Sequence, residues 1–276
     1  MVNKTNIVNT IIPGAVTAED DNATNDKNGD VKAKTINIGV VTWGGYAGGQ
    51  YFNEGFEASK KSRFYQKYGF YVQFKLLDDF NDSRNAWKSG DIDLLWATVD
   101  AFTTEVNSLK DFEPQIIFQA DWSRGGDAIV VRRGINSVAD LAGKKIAVAP
   151  MTPSHTFLLW LLNAGDLNYK DINVVEVPNA IDAADLFKKG QVDASVVWSP
   201  DDIDCVTKIK GSKILESTKS ASNIIADIFF VKKKFLEENE EILTKLVEGW
   251  LVGSAEINSS EDNKIKASKI LSKGLG

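Results

Sequence analysis

Trp43, Tyr46, Trp122 and Trp198 each stand at or just beyond the end of an apolar run. There a flat ring can wall in a small molecule while its N–H or O–H finds a partner. Core packing is the other use of such rings, and the residues alone leave both open. Arg124, within Asp121-Trp122-Ser123-Arg124-Gly125-Gly126-Asp127, has the planar fork that holds a carboxylate, sulfonate or phosphonate by paired hydrogen bonds. It can equally bridge to Asp121 or Asp127. Thr152-Pro153-Ser154-His155-Thr156 precedes an apolar helix, and Thr152 or Ser154 suits its N-cap. The same helix start offers free N–H groups and a positive dipole end to an anion. Gly44 and Gly45, beside Trp43, allow close approach of a ligand to the main chain.

Catalysis has less to work with. Asp100, Asp121 and Asp201 are candidate proton carriers, but no nucleophile-plus-base spacing accompanies them. The chain has one histidine, His155, and one cysteine, Cys205. That nearly excludes a His/Cys zinc site or a Cys–His pair, and the sequence gives no metal or cofactor site. No internal disulfide can form. The net charge of −6 argues against nucleic acid as the main partner, since phosphate binding needs a clustered basic surface. The 276 residues, 43% hydrophobic and 25% charged, have an ordinary soluble composition and suffice for one large domain or two of ordinary size. No stretch approaches the roughly 18 to 20 unbroken apolar residues of a membrane span.

These residues need elements to position them. Residues 1–33, rich in Asn, Asp, Thr and Lys, read as a tail or linker with Ile7, Ile11 and Ile12 as docking points. Strands are predicted at Thr35–Val41, Phe70–Leu77, Leu94–Ala97, Ile116–Ala120, Ala128–Arg132, Lys145–Ala149, Ile172–Val177 and Val192–Val197. Helices are predicted at Gln50–Phe64, Ser83–Lys88, Val138–Leu141, Phe157–Ala164 and Ala183–Lys189, with amphipathic helices at Lys245–Ile257 and Asn263–Leu271. Such alternation implies parallel sheets with crossover helices.

A repeat organises the whole. Ala86-Trp87-Lys88-Ser89-Gly90-Asp91-Ile92-Asp93 returns one hundred positions later as Leu186-Phe187-Lys188-Lys189-Gly190-Gln191-Val192-Asp193, and Thr98 falls on Trp198. Asp127-Ala128-Ile129-Val130-Val131 matches Asp227-Ile228-Phe229-Phe230-Val231 at the same offset. The expectation is two α/β lobes, 34–125 and 126–226, with 227–276 returning to the first. The chain would cross near Asp127 and again near Asp227, and these carboxylates would fix the hinge strands. Two crossings make a hinge, and a hinge between lobes makes a cleft. Ligands of open parallel sheets sit beyond the carboxyl ends of the strands, which selects Trp43–Tyr46, Thr98–Asp100, Thr152–Thr156, Trp198–Asp201 and the crossing segment Asp121–Asp127.

Gly143–Asp201, GKKIAVAPMTPSHTFLLWLLNAGDLNYKDINVVEVPNAIDAADLFKKGQVDASVVWSPD, resembles the second lobe of the substrate-binding proteins of nitrate, sulfonate and taurine-type ABC importers. ADWSRGGDAIVVRRGINSVADLAGKKIAV is similar to that family's hinge strand, and INIGVVTWGGYAGGQYFNEGF to its opening strand and loop. The resemblance implies a type 2 periplasmic-binding fold: two lobes, each a mostly parallel sheet flanked by helices, joined by two hinge strands. It implies capture of a small anionic solute and delivery to an ABC permease, in the periplasm or at the cell surface. The matching solute contacts are Trp43, Gly44, Tyr46, Thr98, Arg124, Thr152, Ser154, His155 and Trp198. No secretory signal or lipid-attachment cysteine is visible, the polar N-terminal stretch is unusual for the family, and similar proteins continue past KILSKGLG. These departures suggest a segment of a larger protein with a partner beyond Gly276, or a binding fold reused as a scaffold. A related fold makes the thiamine pyrimidine from its own histidine, but its cysteine cluster has no counterpart here.

Overall fold

The structure is a computed structural model, and it describes residues 33–276. Ile7, Ile11 and Ile12 lie outside the described residues. The first lobe contains β1 (Thr35–Val40), β2 (Tyr71–Leu76), β3 (Leu94–Thr98) and β4 (Pro114–Trp122). The second contains β5 (Asp127–Val131), β6 (Lys145–Val148), β7 (Asn173–Glu176), β8 (Ala194–Trp198) and β9 (Lys213–Ser217), after which β10 (Ala226–Lys232) rejoins the first sheet. The sheet orders are β2-β1-β3-β10-β4 and β7-β6-β8-β5-β9. In each, the strand that arrives from the other lobe, β10 or β5, runs antiparallel to its two neighbours. The strands β1, β2 and β3, like β6, β7 and β8, are mutually parallel.

The repeated Gly-x-[Ile/Val]-Asp has a direct structural cause. Gly90 and Gly190 take left-handed backbone, with φ of 93° and 79°, where a Cβ is disfavoured, and so end the preceding helices. Three residues on, Asp93 Oδ2 accepts from the Asn37 amide at 2.8 Å, and Asp93 N–H donates to Asn37 O at 2.9 Å. Asp193 clamps Lys145 in the same two ways, at 2.9 Å each. The pair of bonds sets the register of the strand that follows against the first strand of its sheet.

Helices cover both sheets: α1 (Ala47–Phe52), α2 (Arg63–Tyr68), α3 (Phe80–Ser89) and α4 (Val99–Leu109), then α5 (Pro153–Ala164), α6 (Ala180–Lys188) and α7 (Asp201–Lys208), and finally α8 (Lys233–Ser259) and α9 (Glu261–Leu275). The single helix expected over Gln50–Phe64 is instead α1 and α2 with a loop between them. Buried Asn53 decides this. Its amide donates to the carbonyls of Gly55, Glu57 and Val72, and its Oδ1 accepts from Ser62 Oγ, so the loop backbone is satisfied without helix. Ser62 in turn caps α2 by accepting from Phe64 N–H. The short helix expected at Val138–Leu141 is present with those bounds and is of the 3-10 kind. Gly48 and Gly49 serve helix packing: a Cβ on Gly253 of α8 would lie 2.1 Å from Gly48 O, and one on Gly49 would lie 2.4 Å from the Trp250 ring. The first lobe's core gathers on Trp250, Phe229, Phe118 and Tyr46.

Candidate functional site between the lobes

β4 passes to β5 through Ser123–Gly126, and β9 passes to β10 through residues 218–225. The two crossings are tied to one another. Ser123 N–H donates to Ile225 O at 3.0 Å, and Thr218 N–H donates to Asp127 O at 2.9 Å. Ser123 Oγ donates to Asp127 Oδ2 at 2.6 Å and lies 2.8 Å from Thr218 Oγ1, which also accepts from Gly125 N–H. Trp43 lies over this crossing, where a Cβ on Gly126 would meet its ring at 2.1 Å. The Trp43 indole donates to Asp121 Oδ2 at 3.2 Å.

Between the lobes is a narrow cavity of about 10 Å³, room for one water in this arrangement of the lobes. The first lobe lines it with Val41, Trp43, Tyr46, Trp96 and Thr98. The second contributes Asp127, Pro153 and Trp198, and the return crossing adds Ile225 and Asp227. Trp96 and Trp198 meet edge to face across the lobes, with centroids 6.4 Å apart. Each ends in or near the last residues of its strand, and alternation along β3 puts Trp96 on the same face as Thr98.

The polar groups here are carboxylates and hydroxyls. Tyr46 donates to Asp227 Oδ1 at 2.7 Å. Burial pushes Asp127 up to about 7 against the opposing donors Ser123 and Trp198, with the charges of Asp100 and Asp121 adding to the rise. Burial likewise holds Asp227 well above the ordinary carboxylate range, opposed by Tyr46 and reinforced by Asp121, Asp127 and Asp100. Burial also raises Tyr46, with Asp227 adding to it, and raises Asp121 against the pull of Trp122 N–H, the Trp43 indole and Arg124. Thr98 Oγ1, Asp127 Oδ1, both carboxylate oxygens of Asp100, Ser154 Oγ and Trp96 Nε1 are buried with no hydrogen-bond partner among the described residues. An unsatisfied buried polar group costs about 1–3 kcal/mol, so the three of these that belong to residues lining the cavity, Thr98 Oγ1, Trp96 Nε1 and Asp127 Oδ1, mark a place where a bound molecule supplies the missing bonds.

The cavity brings together four of the residues predicted to contact a ligand: Trp43, Tyr46, Thr98 and Trp198. It adds Asp127 and Asp227, predicted as hinge residues: Asp127 bonds the first crossing through Ser123, Asp227 holds Tyr46, and both line the cavity. The remaining predicted contacts lie elsewhere. Asp121 holds Trp43 from behind. Trp122 lies in β4 opposite Ala226, so the predicted loop Asp121–Asp127 shrinks to four residues, Ser123–Gly126. Arg124 is exposed on that loop and makes no ion pair with Asp121 or Asp127. A Cβ on Gly45 would strike Asp121 Oδ2 at 2.0 Å, whereas one on Gly44 meets open space. Gly44 and Gly45 line a separate depression with Leu271 and Leu275.

The 152–156 loop also departs from expectation. Thr152 occupies the N-cap position of α5, but its hydroxyl donates to Ala149 O at 2.7 Å and does not cap. Ser154 lies inside the first turn, buried and unpaired. Pro153 faces the cavity; two residues on, a helix has turned about 200°, so His155 faces the other way. Its Nδ1 accepts from Met151 N–H at 3.2 Å, its ring lies 5.2 Å from Tyr169, and burial lowers its pKa. Asp201 pairs with Lys188 at 3.5 Å. Cys205 is packed in the second lobe beside Phe187 and Val197, where burial pushes its thiol up to about 11.

The family model described as "NMT1/THI5 like" matches residues 55–260, more than half of the chain. The taurine-binding periplasmic protein of Escherichia coli (strain K12) is 25% identical over 191 residues, covering 67% of this chain and 57% of that protein. The chain thus spans less than two thirds of the length of the curated relatives it matches. The periplasmic aliphatic sulphonate binding protein SsuA from Escherichia coli superposes with a TM-score of 0.69 at 19% identity, covering 87% of this chain and 78% of that one. The periplasmic nitrate-binding protein NrtA from Synechocystis PCC 6803 gives 0.70 at 16% identity over 88% and 67% of the two chains. The desulfurization enzyme DSZB shares the architecture too, with a TM-score of 0.62 at 14% identity over 88% and 80%. At these identities the likeness to solved structures is one of fold, the two-lobed periplasmic-binding fold. By the match to its family model, the chain belongs to the NMT1/THI5-like family.

Proposed function

We propose that this chain is the solute-binding component of an ABC importer, working in the periplasm or at the cell surface and presenting a small molecule to a membrane permease. The observation that carries the reading is the interlobe cavity, where buried polar atoms of both lobes and their crossings, Thr98 Oγ1 and Asp127 Oδ1 among them, lack partners within the protein. A molecule held there touches both lobes at once, so its binding energy favours the closed arrangement. The relatives named as taurine-binding and sulphonate-binding proteins support the same reading.

Catalysis fits the site less well. His155 turns away from the cavity, and Cys205 is buried in the second lobe with a raised pKa, so neither can attack a molecule held between the lobes. The hydroxyls that the cavity aspartates hold, Ser123 on Asp127 and Tyr46 on Asp227, are buried and tie the protein's own elements together, and Thr98 has no base within hydrogen-bond reach.

A thermal-shift panel of sulfonates, phosphonates, nitrate, bicarbonate, amines and amino acids tests the proposal. A compound at one hundred times its Kd adds about 2.7 kcal/mol. For a domain of this size that raises Tm by about 5–10 °C. One compound class is expected to give such a shift; a panel with no shift anywhere contradicts the solute-binding reading.

A further inference from the structure

The charge of the cavity walls carries an inference about the solute itself, resting on the solute-binding reading above. The titratable groups on the wall are Asp127, Asp227 and Tyr46, with no lysine, arginine or histidine among the lining residues. Asp100 and Asp121 lie close enough to oppose the ionisation of both wall carboxylates. Arg84, whose guanidinium lies over Trp96, is held by Glu105 through two hydrogen bonds of 2.7 Å. Arg124 is exposed outside. An anion entering this cavity meets carboxylates and no cationic side chain to offset them.

The unsatisfied atoms point the same way. Asp127 is 2% exposed, its Oδ2 accepts from Ser123, and its Oδ1 is left without a well-formed hydrogen bond, the Trp198 indole standing near this carboxyl. Both oxygens of Asp100 are unpartnered acceptors as well. Three indoles, Trp43, Trp96 and Trp198, line the cavity with the Tyr46 ring, and indole faces attract cations. An ammonium group provides three N–H donors and no acceptor, and it suits both features. A bare metal ion does not: no group of three or more metal-ligating side chains occurs among the described residues.

We propose that the solute held between the lobes carries a protonated amine, which donates to Asp127 and lies against the indole rings of the cavity. Asp227 on the cavity wall and Asp100 close by add carboxyl oxygens that can accept from it. The same molecule can carry an anionic group at its far end, so the assignment concerns the ammonium and not the net charge.

The test is a tryptophan-fluorescence titration of the full chain with propylammonium, tetramethylammonium, 1-propanol and propanesulfonate. Propylammonium is expected to bind at least about tenfold more tightly than 1-propanol and propanesulfonate, because a hydrogen bond to a charged group is worth about 1.5–3 kcal/mol, and more tightly than tetramethylammonium, which has the charge but no N–H to donate. Asp127→Asn is expected to remove most of that preference; if that variant does not fold, Asp100→Asn at the start of α4 is expected to reduce it several-fold. Propanesulfonate binding as tightly as propylammonium overturns the ammonium assignment and leaves the solute-binding reading standing. A preference untouched by either variant overturns it too, as does silence from all four probes. Only the failure of the wider thermal-shift panel removes both.

Discussion

Asp127 shows how one residue serves two purposes. It ties the crossings together through Ser123, and it leaves a free oxygen in the cavity. Its folded pKa, about 7, lies above the ordinary 3.8. Between those values the native protein keeps a proton that the unfolded chain has released, so stability falls as pH rises across the window, by about 1.4 kcal/mol per unit. Asp227 acts in the same direction. The ligand-free protein is therefore expected to melt at a lower temperature at pH 8 than at pH 5. Asp127→Asn, which cannot ionise, should flatten that slope in a melting series, and an unchanged slope would show that Asp127 is not the group responsible. At this scale the sequence was a partial guide. Strand-end position selected Trp43, Tyr46, Thr98 and Trp198 as ligand contacts, and these four line one cavity. Trp96 was missed because it reads as the middle of a buried strand, yet it stands two residues before Thr98 and so shares its face. His155, selected for its chemistry, is not among the lining residues of this cavity, because helix phase turns it away from the face of Pro153.

At the scale of elements, the repeat was the most legible feature, because Asp93 and Asp193 each make the same two backbone bonds and the spacing from Gly90 and Gly190 is fixed by geometry. The break between α1 and α2 was not legible. It depends on Asn53 reaching Val72 O on β2, a contact that local pattern cannot reveal. Gly48 and Gly49 of α1 let α8 come close. This yields a prediction in which two effects compete. Gly253→Ala gains about 1 kcal/mol of helix propensity. It also places a Cβ 2.1 Å from Gly48 O, a backbone atom that cannot swing aside. Overpacking of this kind costs about 1–3 kcal/mol, and an immovable neighbour puts it at the upper end. Urea unfolding should therefore show a net loss of about 1–2 kcal/mol; a variant more stable than the parent would mean that the α1–α8 crossing is looser than described.

At the scale of the whole molecule, the two lobes are built on one plan, each completed by a strand from the other side of the hinge. Trp198 of the second lobe packs into the core of the first, so the lobes meet through an aromatic contact beside the cavity. The lobes share a scaffold and differ at the strand ends: Thr98 offers a hydroxyl where Trp198 offers a ring. That asymmetry is what a molecule with distinct ends requires. The central claim is that the solute sits in this cavity, and Thr98→Val addresses it with little change of shape. The substitution removes a hydroxyl that is 1% exposed and has no partner in the protein. The decisive measurement is calorimetric titration, with the compound that shifts the melting temperature, of the wild type, Thr98→Val and Trp122→Ala. The account predicts binding to the wild type with one site, an affinity about three- to tenfold weaker for Thr98→Val with its folding stability undiminished, and no change for Trp122→Ala, whose ring lies outside the cavity. Thr98→Val binding as tightly as the wild type, with Trp122→Ala weakened instead, would place the solute elsewhere and contradict the account.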